Sequence, residues 1–124
     1  MASRREVADF LKAFNQRRQQ VGWLNVVNRQ KNREALIELG LTKSQAEEII
    51  LSLTPEDYCE GPLADKKGSG QVWVFGRVEE GQEIYIKLKL TTTEAPICLS
   101  FHPAEQTLQY PLKEKEGREW RRKK

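Results

Sequence analysis

The alternation of apolar and polar side chains between positions 82 and 92 is the feature that most restricts the fold of this chain. One set of alternate positions carries Ile84, Ile86, Leu88 and Leu90, and the other carries Tyr85, Lys87 and Lys89. A period of two is typical of a β-strand with one buried face. A run from Ile97 to His102 alternates in the same way and stops at Pro103. The two runs predict an antiparallel hairpin whose apolar face must be covered by other elements.

The position of the turn predicts the register of this hairpin. The connecting residues 91–96 have their centre between positions 93 and 94. A symmetric hairpin around that centre pairs residues that are all apolar on one face, so the register agrees with the burial pattern. The predicted pairs are Ile86 with Phe101, Leu88 with Leu99, and Leu90 with Ile97.

Upstream of the hairpin the period changes to that of helices. Apolar residues at helical spacing predict a first helix from Glu6 to Gln20. A second helix is predicted from about Gln30 to Leu39 and ends at Gly40. A third begins at the capping-box pattern that Thr42 opens and runs to about Leu53, and residues 54–57 predict a single turn.

Helices first and strands after them predict an α+β fold in which N-terminal helices pack on one face of a small antiparallel sheet. We expect a single domain over residues 1–112, with a helical part at 1–62, a loop at 63–70 and the sheet at 71–112. The Lys- and Arg-rich residues 113–124 are expected to be a flexible basic tail.

Composition excludes several large classes of protein. The longest apolar run is Ile49–Leu51, far short of the roughly 20 residues that a membrane helix needs, and no signal peptide is expected at the start. Two cysteines and one histidine predict neither a disulfide scaffold nor a zinc site. Phosphate-loop and serine-hydrolase motifs are absent. The sequence predicts a cytoplasmic protein without a metal, a cofactor or a membrane attachment.

The side chains that could take part in a reaction lie on the face of the hairpin away from the core. The predicted register places Tyr85 opposite His102 and Lys87 opposite Ser100, and directly opposed Cβ atoms lie about 4.5–5.5 Å apart. An imidazole can accept or donate a proton near neutral pH, and a lysine can stabilise an oxyanion. RNA supplies its own nucleophile in the 2′-hydroxyl. The alternative is that these three residues are ordinary side chains of a solvated sheet face.

Other residues favour contact with a phosphate backbone. Lys66 and Lys67 lie in a Gly/Ser loop that could hold a phosphate, although a solvated loop is the favoured interpretation. Arg77, Lys89 and the basic tail add further cations. Trp73 and Phe75 could stack on bases, but packing in the core is the favoured interpretation. Both cysteines, Cys59 and Cys98, are interpreted as small hydrophobic residues.

Residues 30–112 carry a series of short segments: Leu39-Gly40-Leu41 and Leu53–Tyr58, the strands at 71–76 and 84–90, and then 98–105 and Tyr110-Pro111. In this order the segments resemble the MqsR (motility quorum-sensing regulator) toxin family. The resemblance implies a bacterial type II toxin with a RelE-like fold that cleaves mRNA as a metal-independent endoribonuclease. It also implies a DNA-binding antitoxin as partner.

The resemblance also implies which residues act. The functional tyrosine of the family falls on Tyr85, within a Tyr-Ile-Lys motif that supplies Lys87, and its glutamine before the first strand corresponds to Gln71. Two positions depart from the family pattern. His102 and Glu60 stand where the best-known members carry lysine.

Two other functions remain open at this point. One is a non-catalytic module that binds RNA or the ribosome on the same fold. The other is a protein-interaction partner whose exposed strand edge pairs with another chain.

Overall fold

The computed structural model describes residues 1–68 and 70–113 and contains three α-helices and five strands. In chain order the elements are α1 (Arg4–Val21), β1 (Asn25–Val26), α2 (Gln30–Leu39), α3 (Lys43–Leu51), a 3₁₀ turn (Pro55–Asp57), β2 (Tyr58–Ala64), β3 (Gln71–Glu79), β4 (Gln82–Lys89) and β5 (Ile97–Pro103). None of the helices in this described part has the length and apolar character needed to cross a membrane.

The helix ends follow the local sequence signals. Thr42 Oγ1 accepts a hydrogen bond from the backbone N–H of Gln45 at 3.0 Å, and the Gln45 side chain accepts one from the Thr42 N–H at 2.9 Å. This reciprocal pair is the predicted capping box. Gly40 ends α2 with φ of 69°, a left-handed conformation that favours glycine. All three predicted helices are confirmed within a few residues.

The five strands form one sheet in the order β1-β5-β4-β3-β2. Neighbouring strands are antiparallel except that β1 pairs in parallel with β5. The sheet is therefore mixed, whereas an antiparallel sheet was expected. The α+β class with N-terminal helices packed on the sheet is confirmed.

Strand β2 corrects the predicted helical extent of residues 1–62. Tyr58–Ala64 pairs with β3 through two register irregularities. Tyr58 is fully buried, and its ring lies edge-on to Trp73 and Phe75, with centroids 6.2 Å away in both cases. The rest of β2 is largely exposed, so the strand shows no clean alternation that the sequence could have revealed.

The register of the β4–β5 hairpin is partly as predicted. Tyr85 lies opposite His102, Ile86 opposite Phe101, and Lys87 opposite Ser100. Nearer the turn the predicted pairs are wrong, because a bulge follows Lys87 and places Leu88 opposite Cys98. The extra residue of the bulge is Leu99, and Cys98 turns into the core in its place.

The core lies between the helices and one face of the sheet. Its buried residues come from α1, α3 and the sheet, among them Val7, Leu11 and Phe14 of α1, Ala46 and Ile50 of α3, and Trp73, Phe75, Ile84, Ile86, Leu88 and Phe101 of the sheet. Trp73 and Phe75 are therefore core residues, as interpreted from the sequence. The alternate residues of β4 and β5 face the other side.

Candidate active site

The face of the sheet opposite the core holds a cavity of about 410 Å³. Tyr85 and Lys87 of β4 and Ser100 and His102 of β5 line its floor. They meet because opposed residues of the two strands point to the same side of the sheet. The structure thus brings together the three residues that the sequence singled out for chemistry.

His102 is held in a defined orientation. Its ring stacks on that of Tyr85 with centroids 5.3 Å apart and an interplanar angle of 21°. Its Nδ1 lies 2.9 Å from the carbonyl oxygen of Pro103. A carbonyl can only accept, so this contact places the proton of the neutral ring on Nδ1 and leaves Nε2 with a lone pair. His102 is only 7% exposed, and it is among the residues that line the cavity.

Tyr85 keeps its proton at neutral pH. Burial raises the pKa of its hydroxyl, and the negative charge of Glu60 raises it further. Glu60 itself is an exposed residue of β2 that lines the same cavity. The tyrosine can therefore donate a hydrogen bond into the cavity and offers its ring as a packing surface.

Two cations at the start of α2 complete the cavity, and the sequence reasoning missed both. Arg29 Nη2 donates to Ser100 Oγ at 2.6 Å, and Lys31 pairs with Glu105. Both cationic residues line the cavity. The only signal for them was the excess of basic residues before position 35, because a two-residue parallel strand brings α2 beside β5 and is too short to predict.

One wall of the cavity is the chain that leaves β5, residues 104–112, which we call the strap. Gln106, Thr107 and Leu108 of the strap line the cavity. Glu83 of β4 accepts hydrogen bonds from the Tyr110 hydroxyl at 2.7 Å and from the Leu108 N–H at 3.3 Å. The strap thus crosses the sheet and limits the cavity on one side.

The residues predicted for backbone contact lie elsewhere. Lys89 pairs with Asp65 at 2.6 Å, while Lys66 and Lys67 are exposed in the turn after β2. Gln71 is exposed at the start of β3 and is not among the residues that line this cavity. The basic tail lies outside the described residues, apart from Lys113.

Arg77 lies on the helix-covered side of the sheet. Its guanidinium forms an ion pair with Asp57 at 3.0 Å and donates to the backbone oxygen of Ser52 at 3.0 Å. These contacts hold α3 and the 3₁₀ turn against β3. The structure therefore separates Arg77 from the cavity, and we assign it no role in binding there.

The cysteines are not arranged as nucleophiles. Burial raises the pKa of the Cys98 thiol to about 12, and burial followed by the charge of Glu83 raises that of Cys59 to about 12. Cys98 is fully buried in the core, which confirms its interpretation as a small hydrophobic residue. In residues 1–68 and 70–113, no three His, Cys, Asp or Glu side chains come together as metal ligands would.

The sequence model of the family described as "Motility quorum-sensing regulator, toxin of MqsA" matches residues 6–103. No curated protein and no solved structure matches the chain. The family match spans α1 to the end of β5 and includes Tyr85, Lys87 and His102. The chain therefore belongs to the motility quorum-sensing regulator toxin family and is the toxin of a toxin–antitoxin pair.

Proposed function

We propose that this toxin is an endoribonuclease that cleaves single-stranded mRNA in the cytoplasm without a metal ion and so inhibits translation and growth. The observation that carries the proposal is the grouping of Tyr85, Lys87 and His102 on the floor of one cavity. Its partner would be a DNA-binding antitoxin.

The proposed reaction uses the 2′-hydroxyl of the substrate as the nucleophile. Nε2 of His102 accepts the proton of that hydroxyl, and the 2′-oxygen attacks the adjacent phosphorus. The bond from phosphorus to the 5′-oxygen then breaks, and the leaving oxygen takes up a proton that the imidazolium of His102 returns. The products are a 2′,3′-cyclic phosphate and a 5′-hydroxyl, so all atoms balance without water or a redox partner.

Lys87 and Tyr85 would support this step. Among the described residues, Lys87 forms no ion pair, so its ammonium is available for the charge that develops on the phosphate oxygens. The Tyr85 ring fixes the imidazole by stacking and positions the scissile nucleotide. A cavity of about 410 Å³ suits a single unpaired nucleotide better than a duplex.

The first test is incubation of the purified protein with a defined RNA in EDTA, beside a His102→Ala variant prepared in the same way. We expect discrete cuts with cyclic phosphate ends from the wild type and a loss of about 10²–10⁴-fold in the variant. Added imidazole should partly restore the variant, because truncation opens space for it beside Tyr85. Lys12→Ala, an exposed change on α1, is the matched control and should cleave normally.

The outcomes separate the alternative functions. Intact RNA, both free and during translation, would contradict the endoribonuclease and favour a binding module. Cleavage that survives in His102→Ala would show that another group is the base. A folded variant that loses activity and is rescued by imidazole supports proton transfer by His102 itself.

A further inference from the structure

Two cations stand at the mouth of the cavity without a part in the proposed reaction. Arg29 precedes α2 and Lys31 lies in its first turn, and both are exposed. Their position is fixed by buried Asn32, whose side chain donates to the backbone oxygens of Val27 at 2.9 Å and Leu99 at 3.1 Å. It also accepts from the Phe101 N–H at 3.1 Å. These bonds tie the start of α2 to the bulge of β5 and hold the cations beside the cavity floor.

The present partners of these cations are easily exchanged. Glu105 and Lys31 form an ion pair in which the side chains are 67% and 51% exposed, and such exposed pairs contribute little to stability. Arg29 donates one N–H group to Ser100 Oγ, and a guanidinium has five N–H donors in all. Both cations can therefore turn to an incoming anion at little cost to the fold.

We propose that Arg29 and Lys31 form a subsite for a backbone phosphate of the RNA next to the scissile one, and that Glu105 occupies Lys31 until this phosphate displaces it. The proposal rests on RNA being the substrate of the cavity. It adds a second point of attachment, because a nucleotide on the cavity floor would have its neighbouring phosphate at the rim. Arginine and lysine are the residues that most often hold phosphate.

The charge of Glu105 explains why the subsite would favour a strong anion. The hydrogen bond from Lys31 lowers the pKa of the Glu105 carboxyl below its ordinary value, so it is ionised at neutral pH. An ionised carboxylate at the rim repels phosphate and holds Lys31, so an incoming phosphate must compete with it for the ammonium. A polyanionic strand that already contacts Lys87 can overcome this repulsion more readily than a single small anion can.

The test measures binding of a single-stranded oligonucleotide with 2′-fluoro sugars, which lacks the nucleophile and stays intact. Arg29→Gln and Lys31→Gln should each raise Kd about fivefold to tenfold, as loss of one exposed hydrogen-bonded contact does. Each should lower the slope of log Kd against log salt by about 0.7. Glu105→Gln should instead lower Kd, and this gain should be smaller in a Lys31→Gln background, where only the repulsion by the carboxylate is removed.

Arg33→Gln is the matched control. Arg33 also lies on α2 and is exposed, but it donates to Asn28 Oδ1 at 3.0 Å and lines a different cavity. The substitution removes the same charge from the same helix. Because Arg33 does not line the active-site cavity, Kd should be nearly unchanged. Thermal unfolding of each variant shows whether the protein is folded.

Each result bears on one proposal or the other. Equal Kd values for Lys31→Gln and Arg33→Gln, in a protein that cleaves RNA, would overturn the subsite and leave the endoribonuclease intact. Binding that depends on Arg29 and Lys31 in a protein that never cleaves would support the subsite and overturn the endoribonuclease. A higher Kd for Glu105→Gln would overturn the displacement by phosphate.

Discussion

The two faces of the same strands differ in almost every physical respect. On β4, Ile84, Ile86 and Leu88 are fully buried against the helices, whereas Tyr85 and Lys87 alternate with them on the cavity side. The core face is apolar and closed by α1 and α3. The cavity face is polar and is bounded on one side by the strap. Alternation along one strand thus separates residues that stabilise the fold from residues that are free to act on a substrate.

This separation has a consequence for mutation. A change on the core face should reduce stability, and a change on the cavity face should reduce activity, even between adjacent residues. Ile86 and Lys87 offer the cleanest comparison, because they are neighbours in sequence and face opposite sides.

The largest expected effect on stability is that of Ile86→Ala. Ile86 is fully buried, and truncation of such a residue leaves a cavity and costs about 2–5 kcal/mol. Urea unfolding followed by circular dichroism measures this loss. A cost below about 1 kcal/mol would show that the helices can collapse onto the sheet and that the core face is less tightly packed than the structure indicates.

The adjacent Lys87→Ala should show the reverse pattern. Its side chain is half-buried at the cavity, so the free energy of unfolding should change by about 0.5 kcal/mol or less. Loss of the cation should reduce cleavage by about 10²-fold, as removal of one oxyanion-stabilising group does. Single-turnover cleavage together with urea unfolding tests both parts. Full activity in a folded variant would remove Lys87 from the mechanism.

Gly76→Ala, on β3 beneath the strap, should displace the strap. An added Cβ would lie 2.5 Å from the Tyr110 hydroxyl oxygen and 2.6 Å from Leu108 Cδ1, so the strap must move. Such overpacking costs about 1–3 kcal/mol. In the wild type the Leu108 N–H donates to Glu83. Hydrogen exchange at this N–H should therefore be faster in the variant.

A double-mutant cycle sharpens this prediction. In a Tyr110→Ala background the nearest obstacle is gone, so Gly76→Ala should cost measurably less than in the wild type. Equal costs in the two backgrounds would mean that the strap does not rest on Gly76 in solution.

The residue pairs of the cavity floor could be predicted from sequence, and the cavity itself could not. The Tyr85–His102 pair was predicted correctly although the turn is not symmetric about the assumed centre. Near the turn the pairing is shifted by one residue, and the extra residue of the bulge, Leu99, shifts it back. Alternation reports which residues share a face, but a bulge near a turn leaves no clear mark on it.

The parts that were missed depend on contacts between distant segments. Strand β2 is mostly exposed and contains Gly61 and Pro62, so it lacks the usual strand pattern. Arg29 and Lys31 reach the cavity only because Asn32 binds the backbone of β5, a contact across 67 and 69 positions of sequence. Local patterns do not encode a single buried hydrogen-bonding side chain of this kind.

The smallest expected effect concerns Lys89, which lies on the same strand and face as Lys87 but is paired. Its hydrogen bond, followed by that of the Lys67 N–H, lowers the pKa of Asp65 below its ordinary value. The resulting stabilisation is fully present above about pH 4, the unfolded value for aspartate, and is lost as the pH falls through the folded-state value. Asp65→Asn should therefore lower Tm near neutral pH and match the wild type in acid. Asp9→Asn, on the exposed face of α1, should change Tm little at any pH. If the difference in Tm between wild type and Asp65→Asn stayed constant into acid, the Asp65 carboxylate would not be the group that holds Lys89. Lys89 would then be, like Lys87, a cation available to RNA.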